Sequence, residues 1–164
     1  MALNLDGKKA VVEEVAELAA KAYSAVAAEY RGLTVTEMTQ LRKTARETGV
    51  YVRVVKNTLA KRAIAGTEFE CMQDRLVGPL VLAFSMEDPG SAGRLVSDFA
   101  KGHKALVAKI IAVGGEAFDG SELERLARLP NREQGIAMLM SVMKAPVGKL
   151  VRTLAAIKEQ KEAA

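Results

Sequence analysis

Aromatic residues are scarce in this chain. Its 164 residues hold no Trp, three Tyr and four Phe, too few for a surface that reads single-stranded nucleic acid by stacking bases on a row of rings. One cysteine, Cys71, excludes an internal disulfide, and with a single histidine, His103, no Cys/His cluster has metal-ligand spacing. Cys71 has no histidine nearby and reads as a small buried hydrophobe rather than a nucleophile, while His103, between Gly102 and Lys104, reads as an exposed loop residue. No Gly-x-Ser-x-Gly elbow occurs, and Gly90-Ser91-Ala92-Gly93-Arg94 lacks the spacing of a phosphate loop. No apolar run approaches the roughly 18 residues of a membrane span, and Glu13, Glu14 and Glu17 stand where a secretory signal would be apolar. These absences point away from an enzyme, a cofactor, a metal or a membrane, and toward a soluble cytoplasmic protein.

What the chain does have is a core's worth of apolar residues (49%) and an uneven distribution of charge. Between Arg31 and Arg62 stand eight bases (Arg31, Arg42, Lys43, Arg46, Arg53, Lys56, Lys61, Arg62) and two acids, Glu37 and Glu47. That window carries +6 of a chain whose net charge is +4, so the remainder sums to −2. A local positive excess of this kind is the electrostatic footprint of a polyanion binder. The competing reading is a set of solvated bases on helix faces.

Periodicity divides the chain in two. Residues 6–22 read as a helix capped by Asp6, with Val11, Val15, Leu18 and Ala22 on one face. Ser24–Tyr30 reads as a buried strand, and Thr34 with Glu37 as a capping box opening a helix that Gly49 ends. Val50–Val55 is a β-branched strand, followed by a helix that Asn57 caps. Leu80–Phe84 has the uniform apolarity of an internal strand. Asp88-Pro89 reads as cap and first residue of a helix reaching Lys101. Leu106–Val113 and Glu116–Phe118 form a hairpin about Gly114-Gly115, and Ser121 with Glu124 reads as a second capping box. Strands alternating with helices predict an α/β domain over 1–130 with a mixed sheet packed by helices. Residues 131–164 read as a long protruding helix of about 51 Å, broken near Pro146 and Gly148.

Two features ask for partners. If the strand ends at Val55 and a helix opens at Asn57, Lys56 sits beside free N–H groups and a positive dipole end, a setting suited to phosphate. Asn57 and Thr58 add neutral donors, Lys61 and Arg62 lie one turn on, and Arg31 converges on the same edge if the two strands are neighbours. Recognition of folded RNA by shape and backbone fits this set; an ordinary capped helix with solvated bases is the alternative. In the C-terminal segment, Ile136, Leu139, Met143, Val147, Leu150, Leu154 and Ile157 step by 3, 4, 4, 3, 4 and 3, with Val151 alongside. At ~1.5–3 kcal/mol for each buried side chain the seven represent ~10–20 kcal/mol, against association costs of ~4–15 kcal/mol. The stripe suits a helix-in-groove partner, folding back onto the α/β domain, or self-pairing.

The segments MALNLDGKKAVVEEVAE, AEYRGLTVTEMTQLRK, GVYVRVVKNTLAKRA, Leu76-Val77-Gly78-Pro79 and GKLVRTLAAIKEQKEAA resemble the bacterial large-subunit ribosomal stalk-base family, number ten of that subunit, from Met1 to Ala164. Arg31-Gly32 and Val55-Lys56-Asn57-Thr58-Leu59 are specific marks of it. The resemblance implies a non-catalytic, cofactor-free ribosomal protein of the cytoplasm. Its α/β domain would bind rRNA at the GTPase-associated region, beside another ribosomal protein. Its helix would carry dimers of the acidic stalk protein that recruits translational GTPases, and the two helix pieces expected about Pro146 suggest two of them. It also implies repression of its own synthesis through its messenger leader. Arg31, Lys56, Asn57 and Thr58 carry over to the rRNA site by motif; Arg42, Lys43, Arg46, Arg53, Lys61 and Arg62 carry over by charge and position. Ile136, Leu139, Met143, Val147, Leu150, Val151, Leu154 and Ile157 would hold the stalk dimers. The rival is a protein adaptor whose basic face meets an acidic protein.

Overall fold

A computed structural model describes residues 4–103 and 105–162. The chain divides into two compact units, Met1–Leu129 and Pro130–Ala164.

In the first unit the elements run α1 (Leu5–Lys21), β1 (Ser24–Glu29), α2 (Val35–Glu47), β2 (Val50–Val54), α3 (Asn57–Ile64), a 3-10 segment (Glu70–Arg75), β3 (Leu80–Ser85), α4 (Ser91–Gly102), β4 (Val107–Val113), β5 (Glu116–Asp119), a 3-10 turn (Gly120–Glu122) and α5 (Leu123–Ala127). The α/β class read from the sequence is borne out, with one correction. The five-stranded sheet, ordered β2-β3-β1-β4-β5, is antiparallel at every pairing rather than mixed. The reason is topological. The β1-α2-β2 crossover does leave β1 and β2 pointing the same way, but β3 inserts between them. The β3-α4-β4 crossover likewise leaves room for β1. Two crossover units interleave, so strands that run alike never touch.

Both faces of the sheet are covered, which is why β1 and β3 are apolar and buried almost throughout. Ala25, Ala27, Leu80, Leu82 and Phe84 meet Val15 of α1, Ala60 and Ile64 of α3, and Phe69 and Met72. Phe69 and Phe84 pack as a tilted pair with ring centroids 6.2 Å apart. Val26, Ala28, Val81 and Ala83 meet Leu41 and Ala45 of α2, Leu95 and Val96 of α4, and Leu126 of α5.

The helix starts test local signals against tertiary ones. The Thr34–Glu37 capping box forms in full: the Thr34 hydroxyl accepts from the Glu37 N–H at 3.3 Å and Glu37 Oε2 accepts from the Thr34 N–H at 2.7 Å. Asp6 is not a cap; it lies in the first turn of α1 behind Asn4, where its charge meets the dipole. Asp88-Pro89 does not open α4, which starts at Ser91. There Ser85 Oγ, from the end of β3, accepts from the Ala92 N–H at 2.8 Å, and Ser24 Oγ donates to Pro89 O at 2.7 Å. Ser85 thus takes over the capping assigned to Asp88, while Ser24 fixes the Pro89 carbonyl just ahead of the helix. Ser121 and Glu124 form no box either. Gly120, just ahead of them, lies so close to the carbonyl of Ala108 that a side chain there would collide with it.

The second unit is one helix, α6 (Arg132–Glu162). The expected break at Pro146 is absent: helix continues through it. Proline removes a single N–H and crowds one carbonyl, and the runs of Leu, Met, Ala, Lys and Arg on both sides are strong enough helix formers to carry the backbone across. Its Asn131 N–H is capped by Gln134 Oε1 at 3.2 Å. Among the described residues no helix is long and apolar enough to cross a membrane.

Candidate nucleic-acid interface

The basic window is built around β2, an edge strand paired only with β3. Helix α2 covers one face of the sheet beside it and α3 the other. The window's cations therefore straddle one edge, Arg42, Lys43 and Arg46 on α2, and Lys61 and Arg62 on α3. Of its eight bases only Arg53 makes an ion pair among the described residues. By contrast Arg75, Lys101, Lys109, Arg125 and Arg128 are each matched with a carboxylate. The positive charge is thus both concentrated and left unneutralised by the protein itself.

Arg42 and Arg46, one turn apart, line a groove of about 420 Å³ with Ala45 and the Val50–Val54 strand. Arg53 is spoken for. Its guanidinium pairs with Glu14 of α1 and donates to the Tyr51 hydroxyl at 3.1 Å, while that hydroxyl donates to Glu14 Oε1 at 2.7 Å. Hydrogen bonding from Arg53, then from Tyr51, holds the Glu14 carboxyl below the usual glutamate range. The same carboxylate raises the affinity of Arg53 for its proton, and burial pushes the Tyr51 phenol up. Arg53, expected among the phosphate-binding bases, is the cation that ties β2 to α1. No pattern in the sequence joins Glu14 to residues thirty-seven or more positions away.

Strand direction brings the remaining motif residues together. β1 and β2 are not neighbours, because β3 lies between them, yet both end at the same end of the sheet. Tyr30 and Arg31 leave β1 on one side of the start of β3, and Val55 and Lys56 leave β2 on the other. Gly78 and Pro79 lead into β3 between them. The Tyr30 N–H donates to Pro79 O at 3.4 Å, and the Asn57 amide donates to Gly78 O at 2.9 Å, so two successive carbonyls of the loop are held from opposite sides. Asn57 is thus not the cap of α3 but its first residue, behind Lys56. Tyr30, Val54, Val55, Lys56, Asn57, Thr58, Gly78, Pro79 and Leu80 line a groove of about 390 Å³. Gly32 (φ +98°) and Gly78 (φ +97°) make the turns that deliver Arg31 and Pro79. Tyr30 and Pro79 are not among the expected site residues, although the AEYRGL and Leu76-Val77-Gly78-Pro79 segments that carry the family resemblance contain them.

His103 is not the exposed loop residue expected. It is partly buried, stacked on Phe99 with centroids 4.4 Å apart, with Nδ1 3.0 Å from Glu37 Oε1. Hydrogen bonds from the Thr34 backbone and hydroxyl, ahead of His103, keep the Glu37 carboxyl below its usual range. Cys71 donates weakly to Glu68 O at 3.8 Å, and burial pushes its thiol up, away from nucleophilic character. Among the described residues no three His, Cys, Asp or Glu side chains stand close enough to hold a metal ion.

On α6, Ile136, Leu139, Met143, Val147, Leu150, Val151, Leu154 and Ile157 are each half to three-quarters exposed. That is an unusual state for large apolar side chains in such number.

The model of the ribosomal protein L10 family matches residues 3–101, and that of the uL10 C-terminal region matches residues 129–164. The chain belongs to the ribosomal protein L10 family. Three curated relatives, each named large ribosomal subunit protein uL10, show the same extent. The protein of Methylococcus capsulatus is 66% identical over the whole of both chains. That of Thioalkalivibrio sulfidiphilus is 62% identical over 99% of each, and that of Dichelobacter nodosus 58% identical over the whole of both. Membership makes the chain a ribosomal protein, a component of cytoplasmic translation in bacteria and not an enzyme. The first L10-family match contains the whole cationic edge and the groove; the second contains all of α6.

Proposed function

We propose that this L10-family protein is built into the large ribosomal subunit as the anchor of its stalk. The α/β unit grips rRNA of the GTPase-associated region, beside a neighbouring ribosomal protein, through Arg31, Arg42, Lys43, Arg46, Lys56, Thr58, Lys61 and Arg62. Arg53 and Asn57 shape that surface from behind. Helix α6 holds dimers of the acidic stalk protein on its Ile136–Ile157 stripe and thereby supports recruitment of translational GTPases. The same cationic surface serves binding to its own messenger leader.

The observation that carries this reading is the set of seven bases that have no carboxylate partner among the described residues and gather about one sheet edge and one sheet end. Burying an unneutralised cluster of like charge against protein is costly, whereas against RNA the same bases displace the cations condensed on its phosphates. The apolar stripe of α6 supports the second half: exposed side chains of that size need a cover, and the net positive charge of residues 131–162 favours an acidic one.

The test uses the full chain. Arg31→Ala with Lys56→Ala should weaken binding to the rRNA fragment and flatten its salt dependence while stalk-dimer loading, read by native mass, is unchanged. Leu139→Glu with Leu150→Glu should do the reverse. Equal RNA affinity and salt slope for the wild type and the first variant would remove the RNA assignment. A complex that survives ribonuclease would favour an acidic protein as the partner of the basic face.

A further inference from the structure

The groove at the end of the sheet is not what a pure phosphate surface would be. Its walls are largely carbon: Tyr30, Val54, Val55, Pro79 and Leu80. Three exposed valines belong to the segments that meet at or lead into this end. Val54 is 37% exposed, Val77, one residue before the Gly78 turn, is 72% exposed, and Val107, which opens β4 opposite Glu29, is 49% exposed. Phosphates gain nothing from valine, and water loses by it. The faces and edges of nucleobases do gain. The polar groups are on the rim: among the described residues the Lys56 ammonium has no carboxylate partner, and Thr58 is exposed. Asn57, with its amide N–H on Gly78 O, keeps its carbonyl oxygen as an acceptor. At 390 Å³ the groove lies within the ~300–1,000 Å³ range of small-ligand sites. Tyr30 packs against the core beneath it, and its N–H holds Pro79, so the two walls are fixed relative to one another.

A second observation supplies direction. The arginine groove along β2 and this apolar groove share Val54 as a wall, so they abut. A chain of alternating anionic and apolar units, phosphate and base, complements that succession of cationic and carbon-lined surface. A base within a duplex is stacked and out of reach; one in a loop or bulge is available.

We propose that the Tyr30–Val54–Pro79 groove receives a single unpaired nucleotide of the bound RNA. Its base lies against Tyr30, Val54 and Pro79, its phosphate faces Lys56, and the adjoining backbone passes Arg46 and Arg42. The inference rests on the RNA-binding reading and adds to it a base-sized pocket where the scarcity of aromatics had argued for backbone contacts alone.

The probe is an rRNA fragment carrying the GTPase-associated region, prepared with its unpaired positions made abasic one at a time. Binding to the full-length protein is measured by anisotropy across a salt series. One abasic position should weaken wild-type binding roughly 5- to 150-fold, the worth of one stacked base, with the salt slope unchanged. That penalty should vanish in Tyr30→Ala. Because Tyr30 is half-buried, Val54→Ser, at an exposed position, serves as the second variant and should shrink the same penalty, with thermal unfolding confirming that both variants fold. If wild-type protein binds the fragment but no abasic position costs more than twofold, or the penalty persists in both variants, the groove holds no base while RNA binding stands. If the wild type does not bind the fragment at all, the RNA reading itself falls.

Discussion

Removing charge from two places on the same edge should have unequal consequences for RNA binding. Arg42 and Arg46 lie one helical turn apart on α2, exposed and without carboxylate partners. Arg53 lies on the neighbouring strand but is neutralised by Glu14 and held by Tyr51. Each phosphate contact contributes ~0.9 to the slope of log affinity against log salt for a duplex and ~0.7 for a single strand. The variant Arg42→Gln with Arg46→Gln should therefore lower the slope by ~1.4–1.8. Across a fourfold rise in salt, its affinity should fall ~7- to 12-fold less than that of the wild type. The variant Glu14→Gln with Arg53→Gln removes a cation and an anion together and should leave the slope within error of the wild type. Anisotropy titrations of one labelled rRNA fragment, at four or more salt concentrations for each protein, read both quantities. The reasoning is refuted if the Glu14/Arg53 variant loses as much slope as the Arg42/Arg46 variant. That result would mean Arg53 leaves Glu14 for phosphate when RNA arrives.

Three further outcomes follow from the geometry. Because the Glu14 carboxyl titrates lower in the folded chain than in the unfolded one, the unfolded chain takes up protons first as pH falls. The stability from the Glu14–Arg53–Tyr51 cluster is then present at neutral pH and lost as pH drops through and below about 4.3. The difference in thermal midpoint between wild type and Glu14→Gln should narrow over that range, and a constant difference would contradict it. Phe84→Ala removes a ring that is 1% exposed and paired with Phe69, and should cost ~3–5 kcal/mol in chemical denaturation. Gly32→Ala, at φ +98°, should cost ~1–2 kcal/mol through backbone strain; an unchanged denaturation midpoint would show that the turn can relax.

Where a signal and its partner lie within a turn of one another, the sequence predicts the structure well. Thr34 and Glu37 form their box, Gly49 (φ +66°) follows the end of α2, and Gly114-Gly115 turn the β4–β5 hairpin. Predictions failed where a distant residue competed. Asp88 was outbid by Ser85, whose position at the buried end of β3 puts its hydroxyl on the first turn of α4. Alternation of strands and helices reveals the class but not that β3 inserts between β1 and β2, since pairing order depends on long-range contacts. The same limit applies to the site. Lys56, Asn57 and Thr58 could be read together from their adjacency. That Tyr30 and Pro79 complete their groove, and that Arg53 is paired with Glu14, depends on pairs 21 to 49 residues apart, for which one sequence carries no signal.

The interleaving of the two crossovers has a consequence for how the protein is made. Tyr30, Lys56 and Pro79 come to one place only because β3 slides between two strands synthesised before it. Until Ser85 has emerged, a nascent chain lacks the one strand that pairs with both β1 and β2. The cationic segments are then complete in sequence and dispersed in space. Recognition is thereby deferred until the sheet has closed, so an unfinished chain carries the charges but not the surface.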